Sequence, residues 1–316
     1  MSQARFVEKH ASTWRRFETL LDELERDHPA QPAEPFPELY RTLCQHLSIA
    51  RHRGYSATVV DRLNPLVERG HALLYGSRAG NWAPVWEYLA GGFARDVRRD
   101  WHLLAIAALL FVGPYVGMIA WLHFEPQWAY HILGDQMVTQ MEEMYRSAEA
   151  TRAERQSDSD LMMFGFYIYN NIGIALRTFG SGLLAGVGAF FILIYNGVVL
   201  GAVSGHLQNV GLGHNFWPFV VGHGSFELTA IVLAGQAGLK LGFAPIWPGR
   251  RSRLRALIEE ARDSLGLVGG FFVMLVIAAF IEAFWSSAPL DDPVKYGVGA
   301  ALWLFVIGYF LLAGRR

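Results

Sequence analysis

LLAIAALLFVGPYVGMIAWL, residues 103–122, is a run of twenty residues with no charged side chain. A helix of that length covers about 30 Å, the thickness of a bilayer's hydrocarbon core. Trp101 and Trp121 flank it, where indole rings anchor at the membrane interface. Pro114, after Gly113, is expected to kink it. Since backbone groups in lipid must be satisfied within the segment, the run predicts a membrane-spanning helix.

Four further apolar stretches follow this pattern. They are SGLLAGVGAFFILIYNGVVLGAVSG (181–205), the block 216–246, LGLVGGFFVMLVIAAFIEAFW (265–285) and YGVGAALWLFVIGYFLLAG (296–314). A fifth, FGFYIYNNIGIALRTFG (164–180), carries Asn170, Asn171 and Arg177, and is expected either to cross or to re-enter the bilayer. The charge distribution agrees. Residues 1–100 hold 14 Arg/Lys and 13 Asp/Glu, whereas residues 164–247 hold only Arg177, Glu227 and Lys240.

Before the first span the periodicity is helical. Phe6, Val7, Trp14, Phe17, Leu20, Leu21 and Leu24 share one face, and the proline-rich HPAQPAEPFP (28–37) ends that helix. Further helical patterns cover about 37–51, 55–75 and 82–100. The expected fold class is all-α: a polytopic membrane helix bundle of five to six membrane segments, preceded by a cytoplasmic helical bundle. The expected domains are 1–100 and 101–316. The second includes an extracytoplasmic helical insert at about 123–160 and a basic loop at about 248–262. Within the insert, QMEEMYRSAEATRAERQ (140–156) reads as an exposed amphipathic helix.

Sidedness is less simple. Arg95, Arg98 and Arg99 place the N-terminal region inside, and the excess of acids in 123–160 suits the outside. Five crossings would then leave PGRRSRLRAL (248–257), Arg315 and Arg316 outside. A sixth crossing by 161–180 restores them to the inside, with three polar groups in the membrane as its cost.

The central block is rich in glycine at four-residue spacing: Gly182 and Gly186; Gly197, Gly201 and Gly205; Gly238 and Gly242. Such stripes let helix backbones approach closely, within one chain or across a homodimer. Asn196 needs a buried partner and is expected to bond across helices. GHGSFEL (222–228) places His223 and Glu227 on one helical face. Three readings of the pair stand: a metal site completed by His206 or His214, a proton or cation relay, or a structural hydrogen-bond centre. Gly222 and Gly224 are expected to loosen the helix there. Arg177, Asn170 and Asn171 join the buried polar centre in the transport reading.

Other classes are excluded or unsupported. A net charge of −1 makes no case for nucleic acid. There is no HExxH, no nucleotide-binding GxxxxGK[ST] and no nucleophile elbow around Ser225. Cys44 is the only cysteine, so no intramolecular disulfide forms. The charged N-terminus MSQARFVEKHASTW has no signal-peptide pattern. No catalytic residue, metal or cofactor is expected.

The order NNIGIALRTFGSGLLAG (170–186), YNGVVLG (195–201), GHGSFEL with AGQAGLKLG (234–242), then PGRRSRLRAL, resembles the stage II sporulation protein M family. ARHRGYSATVVDRLNPLVERGHALLYG (50–76) looks like the soluble region of its longer members. The resemblance implies an inner-membrane protein that acts as scaffold or partner in an envelope-associated complex, without catalysis of its own. For longer members it also implies association with a MoxR-type AAA ATPase, von Willebrand factor A domain proteins and an RDD-family membrane protein. The alternative function is an ion or small-solute transporter using the His/Glu/Asn centre. An intramembrane hydrolase is a third.

Overall fold

The computed structural model describes residues 2–26, 36–75, 82–151 and 157–315. Most of the proline cluster at 28–37 and the tail of the 140–156 segment lie outside the described residues. Every regular element among those described is helical, and the chain forms two compact units, Met1–Trp82 and Ala83–Arg316.

The first unit contains α1 (Gln3–Arg26), α2 (Phe36–His52) and α3 (Ala57–Tyr75). The apolar stripe of α1 is buried as its spacing predicts: Phe6, Trp14, Phe17 and Leu21 pack with Leu43 and Leu47 of α2 and Leu63 and Leu66 of α3. Arg69 of α3 ties back to α1 through Asp22 at 2.6 Å and Glu25 at 2.8 Å. Trp14 donates its indole N–H to Nδ1 of His46, 3.1 Å away inside this core.

The second unit begins earlier than residue 101. α4 (Ala83–Glu87), a π-helical turn at Tyr88–Gly92 and α5 (Phe93–Arg99) belong with the membrane helices, because Phe93 and Val97 are part of their core. The high charge of 83–100 concealed this, since the few apolar residues there are the ones that pack inward. Arg98 donates to the carbonyls of Phe310 and Ala313, each at 2.6 Å.

α6 (Trp101–Phe124) runs unbroken through Pro114 and is followed by two short elements, α7 (Trp128–Leu133) and α8 (Asp135–Thr151). α9 (Ser157–Ser181), α10 (Val187–Asn209), α11 (Gly213–Phe243), α12 (Arg253–Phe280) and α13 (Asp292–Leu312) complete the unit. α12 continues through a second π-helical turn, Ile281–Ser286. Among the described residues, five helices (α6, α10, α11, α12 with its π turn, and α13) are long and apolar enough to cross a membrane.

α9 falls outside that set on composition, yet it runs the depth of the bundle. Near its start Phe164 packs on Phe280 and Phe284. Near its end the Thr178 carbonyl faces Gly238 of α11. The transit puts Arg98, the Asp100–Lys240–Glu260 ion pairs and the end of α13 on one face of the bundle. α7 and α8 lie on the opposite face, where Glu142 meets His206 and the Tyr145 carbonyl accepts from Asn215. Arg177 is exposed near the end of α9 and donates to the Gly173 carbonyl. That position lets its guanidinium reach the interface, so it costs α9 little.

The glycine stripes are seams within the chain. Gly197, Gly201 and Gly205 face successive turns of α6 at Phe111, Tyr115 and Ile119, so α6 and α10 run parallel. A Cβ at Gly201 would fall 2.8 Å from Cβ of Met118. Gly182 and Gly186 meet Gly238 and Gly242 in the same way, and Gly186 turns the chain into α10 at φ 79°. The close approach expected from the spacing is therefore spent inside one subunit, and these faces are covered.

Candidate functional site

His223 and Glu227 lie one turn apart on α11, and the π-helical turn after α12 brings Glu282 and Ser286 to the same place. One donor atom from each of His223, Glu227 and Glu282 lies within 4.8 Å of the others. His223 Nε2 is 3.9 Å from Oε2 of Glu227, beyond hydrogen-bonding range. Its other ring nitrogen, Nδ1, is 3.1 Å from the Ser286 hydroxyl. Phe219 packs its ring against the imidazole, one turn back along α11.

The support beneath this cluster is equally specific. Lys295, fully buried, donates to the Ser286 carbonyl at 2.8 Å and so pins the π turn from α13. π-helical turns recur at functional sites because the extra residue re-aims side chains. Gly222 makes room for the Trp285 ring, to which a Cβ would come within 3.0 Å. α11 is continuous from Gly213 to Phe243, so Gly222 and Gly224 do not break it. Gly222 serves packing against Trp285 and Ile281 of the π turn.

One face of the cluster is covered by α8. Tyr145 packs with Phe216 and Phe219. Its phenol is pushed above its usual value by burial, and then by Glu282, Tyr167 and Glu227. Glu282 Oε2 is buried and has no hydrogen-bond partner among the described residues, a rare condition for a polar atom.

The structure gathers some of the sequence-derived residues and disperses others. His223 and Glu227 are together as expected. The third member is Glu282, not His206 or His214. His206 meets Glu142 at 2.8 Å, and His214 contacts the Gly211 carbonyl. Asn196 donates to Ile192 of its own helix at 2.8 Å, not across helices. Asn170 donates to Asn171 on α9. Arg177 lies at the level of Gly238, fifteen residues along α11 from His223, which is about 22 Å. Glu282 was missed because FIEAFW shows a single carboxylate at the end of a span. Its interruption of an otherwise uncharged run was the one available signal.

An apolar cleft of about 500 Å³ lies between α6, α11 and α13, lined by residues that include Phe111, Tyr115, Gly224, Leu228 and Trp303. His223, Glu227 and Glu282 are not among its lining residues.

These helices define a polytopic membrane protein. The family model for stage II sporulation protein M matches residues 104–287, and the chain belongs to that family. A separate model, for a domain of unknown function, matches residues 4–76. An uncharacterized protein of Methanocaldococcus jannaschii is 29% identical over 126 residues, covering 38% of this chain and 69% of the relative. No solved structure matches the chain.

Proposed function

We propose that this integral membrane protein is the membrane partner of an envelope-associated assembly, with its N-terminal unit as the docking module. The supporting observation is the modularity of that unit. Its three helices close their own core, and a separate family model covers the same stretch. The arginine-bearing face of the bundle, with Arg98, Arg251 and Arg255, suits the cytoplasmic side of an inner membrane. In this reading the chain crosses the membrane six times, and the N-terminal unit, the 248–262 loop and the C-terminus are cytoplasmic. The partner class is the one the family resemblance implies: a MoxR-type ATPase, with von Willebrand factor A and RDD-family proteins as further members.

Affinity purification from native membranes tests this. The intact chain should retain the MoxR-type ATPase, and a chain lacking residues 2–75 should lose it. Absence of the ATPase from both preparations, or equal recovery with both, refutes the docking role. Glycine-driven homodimerisation has no role in this reading, because the stripes are covered in cis.

Transport is the second reading, favoured by the buried His223 and Glu282 and the half-buried Glu227 gathered inside the apolar bundle. It expects flux of a cation or small solute in proteoliposomes that Glu227→Gln abolishes while the fold survives.

A further inference from the structure

We infer that His223, Glu227 and Glu282 form a binding site for a divalent first-row transition ion such as Zn²⁺. The inference goes beyond the docking role and stands independently of it.

Three features carry it. First, the donors are of the right kind and number. Imidazole and carboxylate are both ligand types that zinc takes, and three protein ligands leave a fourth position for water. Second, the spacing leaves room for an ion. Nε2 of His223 and Oε2 of Glu227 stand 3.9 Å apart, too far to bond each other. Ligands of a tetrahedral ion at about 2.0–2.1 Å stand roughly 3.4 Å apart, so small side-chain rotations close the site. Third, Glu282 is more than nine-tenths buried, and its Oε2 has no hydrogen-bond partner within the cluster. A dication supplies that missing partner.

The surroundings agree with the chemistry. In the tautomer that carries its proton on Nδ1, His223 donates to Ser286 and leaves the Nε2 lone pair for an ion. This is how second-shell bonds orient ligating histidines. Two carboxylates together at membrane depth repel each other, and a dication with a neutral imidazole cancels both charges. Lys295 holds the Ser286 carbonyl behind the site, and the Tyr145 phenol approaches from α8. The π turn also gains a purpose: it presents Glu282 as ligand and Ser286 as orienting group from one short segment.

The test uses the intact chain, purified in detergent, stripped with a chelator and then titrated with Co²⁺ and Zn²⁺. Co²⁺ should bind at one equivalent per chain with the visible absorption of a low-coordinate site, and Zn²⁺ should displace it. Glu282→Gln and Glu227→Gln should each weaken binding by about a hundredfold or more. Glu259→Gln, on the exposed start of α12, should leave it unchanged. Size-exclusion profiles establish that each variant is folded. The proposal is overturned if the intact chain takes up neither ion, or if a folded Glu282→Gln binds as tightly as the parent. Should a variant misfold, stoichiometry and spectrum of the parent decide alone.

Discussion

Acidification should loosen the N-terminal unit through one side chain, His46. In the folded unit its Nδ1 accepts the Trp14 indole N–H, and its ring lies 4.0 Å from that of His10. Burial first, then His10, lowers its pKa from 6.5 to about 4. Protonation would set a second donor against the indole N–H. The folded-state value lies below the unfolded one, so stability is complete above pH 6.5 and is lost as pH falls toward 4. At pH 4.5 the deficit is about 2.5 kcal/mol, roughly 70-fold in the opening equilibrium. Hydrogen exchange on the full-length protein should show this over α1–α3, after correction for the intrinsic pH dependence of exchange. His46→Gln should start less stable at neutral pH and lack that part of the acid response. Equal pH sensitivity in His46→Gln and the parent would refute the reasoning, because the titration would then belong to other groups.

Gly201→Leu should destabilise the membrane unit by about 1–3 kcal/mol or more, since its side chain must enter the α6–α10 seam. Gly117→Leu, with open space around it, should leave the thermal midpoint in detergent nearly unchanged. In a Cys44→Ser background, a cysteine at Glu125 should react with an impermeant maleimide on intact cells, and one at Arg250 only after permeabilisation. Labelling of both on intact cells would remove the six-transit topology.

The helical class and five of the spans were legible because apolar runs of this length with so few charges have few other homes. The path of α9 was obscured by Asn170, Asn171 and Arg177, which lower its hydropathy. In the structure α9 runs the depth of the bundle, with Asn171 buried and Arg177 exposed near its end. Glycine spacing announced close seams without naming their partners, which depend on tertiary contacts. The candidate site was half legible. The i, i+4 relation of His223 and Glu227 is local, whereas Glu282 lies 55 residues further on and reaches them only through a π turn. Asn196 was misread because a half-buried asparagine can satisfy itself on the carbonyl one turn back.

The parallel packing of α6 and α10 bears on how the molecule is made. Parallel neighbours cannot close as a hairpin, so α6 enters the bilayer well before the helix whose grooves it fills has left the ribosome. It must persist alone in lipid through the synthesis of α7, α8 and α9. Its composition suits that wait: a mean hydropathy of 2.3, with most of its surface still facing outward in the finished bundle. The glycine seam then acts as a late clasp. A substitution there would act after insertion, leaving a chain that spans the membrane but fails to assemble, a defect that membrane-integration assays alone would overlook.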